Sequence, residues 1–172
     1  MKHLRQYIRQ IILVEQMMGL NQLPSDVKVY IQDIDGDASS FSIFYKTPRV
    51  PYPVGEIKIA SQPKCDGAMK VVDVYSEIES GGPLLYDLAI EVATINANGL
   101  TADRDYVSDS ARPVWEYYLK NREDVDAFDL DPKVCPAKYN INQWMDSPLS
   151  KRFVKKPSSI RQLEKMGKLV HL

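Results

Sequence analysis

The hydrophobic pattern of this chain changes period once, near residue 80, and that change limits the fold more than any other feature. Before it, Val27, Val29 and Ile31 alternate with Lys28 and Tyr30, and Phe41 to Tyr45 resumes with aromatic and β-branched residues. Val54 to Ala60 alternates again, and Met69 to Ile78 supplies a fourth run through Val71, Val72, Val74 and Tyr75. Period two marks strands with one buried face. The gaps are short or turn-rich, so the four runs pair most simply as an antiparallel meander. After the change, Leu84, Leu85, Leu88, Val92 and Ile95 fall on one side of a helix spanning Pro83 to Ile95. Pro83 suits its first turn, where a missing amide hydrogen costs nothing. Asn98 and Gly99 end that helix, and Leu100 and Thr101 form a short strand. A second helix begins near Ser108 or Ser110, with Pro113 in its first turn and Val114, Trp115, Tyr118 and Leu119 as its buried stripe.

The flanks are less patterned. Leu4, Ile8, Ile11 and Ile12 recur at helical spacing opposite Lys2, Arg5 and Arg9, which predicts an amphipathic amino-terminal helix over residues 1–19, ended by Gly19. Asp124 to Asp131 reads as an acidic loop, and Pro132, Pro136 and Pro148 punctuate an irregular region around Trp144. Ser159 to Met166 predicts a last helix, and Lys168 to Leu172 allows a terminal strand. At 172 residues the chain is expected to be one domain: a core over 20–120, the amino-terminal helix, and an irregular, basic carboxy-terminal extension over 121–172.

Composition excludes some classes. With 44% hydrophobic and 26% charged residues the chain is too apolar for intrinsic disorder, and a net charge of -1 argues against a globally basic nucleic-acid coat. No apolar run approaches a membrane span, and no secretion signal is evident. Cys65 and Cys135 match no zinc spacing, so a disulfide scaffold is not expected and a reducing interior compartment is the default. Charge is distributed unevenly. Residues 73–131 are strongly acidic, whereas Lys151, Arg152, Lys155, Lys156, Arg161, Lys165 and Lys168 stand against only Glu164. The basic segment either packs back on the acidic middle or meets an anionic partner such as nucleic acid.

Little of the residue chemistry fits a known catalytic pattern. Asp33, Asp35 and Asp37 begin like a calcium loop, but the required glycine falls on Ala38 and the closing glutamate on Phe44, so no metal site is expected. The two histidines, His3 and His171, lie near the ends of the sequence, and no glycine-rich phosphate loop with a following lysine is present. The surviving candidate is the junction from Ser76 to Leu85. A strand that runs through Ser80, Gly81 and Gly82 into a helix exposes first-turn amides, which with the helix dipole form an anion site. The alternative is that two glycines merely let the chain reverse.

The order of these elements resembles the GNAT acyltransferase superfamily, best over residues 54–120. The resemblance implies an α+β fold: an antiparallel meander followed by β-α-β-α, with an amino-terminal amphipathic helix and a carboxy-terminal basic helix. It implies acetyl-CoA as the carrier, with pyrophosphate on the amides of Ser80, Gly81 and Gly82 and the pantetheine arm along Val72 and Val74. Glu77, Tyr75 or Asp73 would take the proton of an amine acceptor, and Tyr118 or Tyr117 would serve as the acid. The chain departs from the family's turn motif at Ser76 and Glu79, and Trp115 stands where many members carry a tyrosine. Two expectations follow, an active acetyltransferase or an inactive relative. The blocks Gly82-Pro83-Leu84-Leu85-Tyr86-Asp87 and Val114-Trp115-Glu116-Tyr117-Tyr118 are also similar to small tailed-phage proteins. That similarity implies action in the host bacterial cytoplasm or in the virion. The partners would be a phage or host protein, or nucleic acid through the basic segment, and not a membrane.

Overall fold

The computed structural model describes residues 20–138 and 147–172. The expected amino-terminal helix and the region around Trp144 lie outside them. The described elements are β1 (Lys28–Asp33), β2 (Ser40–Lys46), β3 (Gly55–Ser61), β4 (Met69–Ser76), α1 (Gly81–Asn96), β5 (Leu100–Thr101), α2 (Arg112–Asn121), β6 (Val125–Asp129), β7 (Lys151–Lys155), α3 (Ser159–Lys165) and β8 (Leu169–His171).

All eight strands belong to one sheet of order β6-β7-β5-β4-β3-β2-β1-β8. The meander is present as the alternation requires: β1 pairs with β2, β2 with β3 and β3 with β4, all antiparallel. Val29, Ile31, Ile43, Tyr45, Ile57 and Ile59 turn to one face and are buried there. On that face lies α1, whose residues Leu84 to Ala93, Asp87 apart, are buried on all sides. A helix apolar around its circumference needs cover around its circumference, and the curl of the sheet supplies it.

The fold expected from the GNAT resemblance is corrected. The described residues form a curled, mixed half-barrel, mostly sheet, with three helices, and not a meander followed by β-α-β-α. The extension after residue 121 is the reason. Besides the last helix and terminal strand read from the sequence, it contributes β6 and β7 where an acidic loop and an irregular region were expected. β7 inserts between β5 and β6, antiparallel to both, and β8 lies parallel to β1 at the far edge. The acidic segment read as a loop is β6, an edge strand of which Val125 alone is buried.

The basic tail packs on its own domain. Lys155 and Glu91 form an ion pair in the interior, at 2% and 0% side-chain exposure. Glu91 also accepts the amides of Ser159 at 2.8 Å and Ile160 at 2.9 Å, so it caps α3, which has no cap of its own from Ser158. Lys151 pairs with Asp129, and Lys168 donates to the carbonyls of Leu23 and Pro24. Cys65 and Cys135 are joined in a disulfide, which corrects the expectation of two separate thiols. A separation of 70 residues gives no local signal of pairing; the sheet brings the two turns together. Among the described residues no helix is long and apolar enough to cross a membrane.

Candidate functional site

One open feature of the fold is a wedge beside β4. On one side β4 pairs with β3 at seven positions, from Gly55↔Ser76 to Ser61↔Met69. On the other it pairs with β5 at two, Met69↔Leu100 and Lys70↔Thr101. Beyond Lys70 the chains diverge. The β3–β4 register also shifts there: Lys58 faces Asp73 while Ile59 faces Val71, leaving Val72 as the extra residue of a β-bulge. A bulge re-aims side chains, and Val72 is 51% exposed.

The wedge is a cleft of about 250 Å3. Val71, Val72, Asp73 and Val74 form its β4 wall, and Asp103, Tyr106, Val107 and Ser108 form the opposite wall. Tyr86 of α1 and Trp115 of α2 form the floor, edge to face with ring centroids 5.5 Å apart. Burial pushes the Tyr86 phenol up to about 12, so it stays neutral at physiological pH. Trp115 packs in turn on Phe153 of β7, at 5.3 Å between centroids. The two carboxylates at the mouth differ. Asp103 is paired to Lys70 at 3.2 Å. Asp73 is exposed and accepts the Val74 amide at 3.0 Å.

The sequence-expected site residues divide into three groups. Val72 and Val74 line the cleft. Tyr75 and Glu77 do not. The Tyr75 hydroxyl donates to the Pro53 carbonyl at 3.2 Å, and its pKa is raised by burial and by the charges of Glu56 and Glu77. Glu77 lies beyond β4, where its amide bonds the Val54 carbonyl. Tyr118 is fully buried under α1. Its hydroxyl donates to Asp87 at 2.6 Å, and Arg122 holds the same carboxylate oxygen at 2.8 Å. Burial first, and the Asp87 charge second, raise this phenol well above its ordinary value. Arg122 stays charged because Asp124 and Asp87 outweigh the burial that opposes its charge.

The glycine turn forms the third group, and none of its residues lines the cleft. Ser80 takes the left-handed conformation at φ 59. The Gly81 amide bonds the Ile78 carbonyl at 2.9 Å, and its carbonyl accepts the Tyr45 hydroxyl at 2.8 Å. A Cβ at Gly81 would sit 2.7 Å from Ser76 Oγ, so this glycine is required for close packing. Gly82 faces open space, with nothing within 4 Å of where its Cβ would be.

Sequence reasoning missed the Tyr86–Trp115 floor and the Asp103 to Ser108 wall. One signal was available: adjacent Val71 and Val72 break the alternation at the bulge. No protein-family model, curated protein or solved structure matches the chain.

Proposed function

We propose that the wedge receives the extended, amide-bearing arm of an acyl-thioester carrier such as acetyl-CoA, and that the protein passes the acyl group to an amine. One observation carries this reading: from Val71 to Val74 the β5-facing edge of β4 has no partner strand and looks across a cleft. An exposed edge of this kind takes an extended ligand as an added strand. Val72 and Val74 would align the arm, and the small apolar floor suits a short acyl group. In the glycine turn the space beside Gly82 is open where a Cβ would stand, and exposed Glu79 lies two residues from Gly81, so the turn offers little to a phosphate. Asp73, rather than Glu77 or Tyr75, stands at the mouth.

The chemistry follows from those positions. The amine nitrogen attacks the thioester carbonyl, the C–S bond breaks, and its electron pair leaves on sulfur. The proton shed by nitrogen passes through water to Asp73. A thiol of ordinary pKa about 8.5 leaves as a thiolate without a dedicated acid, so the buried Tyr118 has no part in the step.

Thermal-shift titration with acetyl-CoA, CoA and acetyl-pantetheine tests the reading. Ligand at 100 times its Kd adds about 2.7 kcal/mol, or several degrees in Tm. Because the arm rather than the phosphates is the better-fitted part, acetyl-pantetheine should shift the protein nearly as much as acetyl-CoA. No shift with any of the three at millimolar concentration ends the proposal. In an amine-acetylation assay, Asp73→Asn should lower the rate about 10²-fold or more.

A second reading is favoured by the buried state of Tyr118 and Trp115. The protein would be a catalytically inactive tailed-phage component, in the virion or the host cytoplasm, that binds a phage or host protein or nucleic acid. Its basic surface would be Lys156, Arg161 and Lys165, which are exposed, and not Lys155, which is buried. Salt-sensitive retention on DNA, lost on charge reversal of Lys156 and Arg161, would favour it.

A further inference from the structure

The outer wall of the cleft is anchored through a covalent bond that does not belong to the cleft. The turn carrying Cys65 is fixed to the sheet. Its amide bonds the Gln62 carbonyl at 2.9 Å, Gln62 Nε2 bonds Thr101 Oγ1 at 2.9 Å, and Asn98 Nδ2 bonds the Asp66 carbonyl at 2.9 Å. On the other side of the disulfide lies the 130–138 segment, where Leu130 and the two cysteines form a small cluster separate from the main core. That segment in turn holds the cleft wall. The Arg104 guanidinium is buried and donates to the carbonyls of Leu149 and Cys135, the latter at 3.4 Å. The Lys138 amide bonds the Arg104 carbonyl at 2.8 Å, and the Lys138 ammonium pairs with Asp105 at 3.1 Å.

Arg104 makes this chain of contacts sensitive. A buried guanidinium is tolerated only while carbonyls replace its water. Its Nε has no partner among the described residues, and burial lowers its pKa. If the 130–138 segment moves away, Arg104 loses the Cys135 carbonyl and gains by turning to solvent. Asp103, Tyr106, Val107 and Ser108 belong to the same stretch of chain and form the wall.

We propose that Cys65–Cys135 is a redox switch that sets the order of the cleft wall, ordered when oxidised and loosened when reduced. The reductant is a dithiol. Its thiolate attacks one cysteine sulfur, the S–S bond breaks, and a mixed disulfide forms. The second thiol of the reductant resolves that intermediate. The protein gains two electrons and two protons as two thiols, and the dithiol becomes a disulfide. Both cysteines are buried, Cys65 the less deeply at 5% exposure against 1% for Cys135, so Cys65 is the one the reductant meets first. Attack there leaves Cys65 in the mixed disulfide and releases Cys135 as the thiolate, which takes up a proton.

The test is hydrogen exchange on the full chain, with and without dithiothreitol, read by peptide; it does not depend on any carrier binding. Reduction should speed exchange at residues 103–108 and 130–138 by roughly tenfold or more while β1 to β3 stay unchanged. The Cys65→Ser/Cys135→Ser double variant should reproduce that pattern without reductant. Arg104→Met in the oxidised protein should loosen 103–108 with the disulfide intact. Unchanged exchange at 103–108 on reduction overturns the proposal. So does loosening throughout the sheet, which would make the bond a staple of the whole fold, or an Arg104→Met protein whose wall exchanges like the parent.

Discussion

The two flanks of β4 are built by different means. Toward β1 the sheet is a meander joined by short turns, with buried aliphatic and aromatic residues repeated along every strand. Toward β6 the strands run out of sequence order and are shorter, two residues in β5 and five in each of β6 and β7. Besides apolar packing such as Trp115 on Phe153, that side is held by discrete locks: Glu91 with Lys155, Asp87 with Arg122 and Tyr118, and Arg104 beneath the disulfide. One flank spreads its stability over many similar contacts, the other concentrates it in a few. The cleft lies on the concentrated side, where pairing stops.

The largest break in this contrast should come from Glu91→Ala, which leaves Lys155 charged in the interior without its partner and removes the cap of α3. It should cost about 3–5 kcal/mol in urea unfolding. Ile57→Val, equally buried on the other flank, should cost about 0.5–1.5 kcal/mol. Similar losses from the two would erase the distinction.

Tyr118→Phe should come next. It removes a hydrogen bond to a charged group worth about 1.5–3 kcal/mol, yet leaves amine acetylation unchanged. A hundredfold loss of rate would restore Tyr118 as the acid.

The third test uses pH. Burial works to raise the Glu91 pKa, but the Ile160 amide, Lys155 and the Ser159 amide prevail and hold it below its ordinary 4.5. A carboxylate depressed in the folded state contributes stability above its unfolded pKa and loses it as pH falls through the folded one. Denaturation midpoints should therefore fall on acidification below pH 4.5, and Glu91→Gln should flatten that fall. An unaltered acid limb in the variant would remove Glu91 as its source.

The smallest effect belongs to Asp73→Ala, an exposed change that should shift stability by no more than about 0.5 kcal/mol. It sharpens the comparison, because a group that serves only chemistry can be lost without disturbing either flank. A loss above about 1 kcal/mol would make Asp73 part of the frame.

The same contrast governs what could be read from sequence. The meander was legible because period two ran through each of its strands, and α1 because Leu84, Leu85, Leu88 and Val92 kept helical spacing. β6 was not, because an edge strand that buries Val125 alone has no alternation to display. β7 was hidden for a related reason: its apolar Phe153 and Val154 are flanked by charged residues and show no alternation, and the partner of Lys155 is a glutamate 64 residues away. Part of the site was legible, since Val72 and Val74 were placed on the correct strand. The setting of Tyr118 was not legible, because the group that holds its hydroxyl, Asp87, is 31 residues distant. Gly81 was read as an anion contact, although the close approach of Ser76 is what demands it.

β8 has a consequence for how the molecule comes into being. It lies parallel to β1 through Val29↔Leu169, Tyr30↔Val170 and Ile31↔His171, so β1 is bordered by a strand made much later in the chain. During synthesis at about 5–20 residues per second, β1 stands as a bare border for seconds after its own hairpin has formed. In that interval a nascent neighbour on the same messenger could occupy the vacancy, and the risk of such mispairing rises with ribosome crowding.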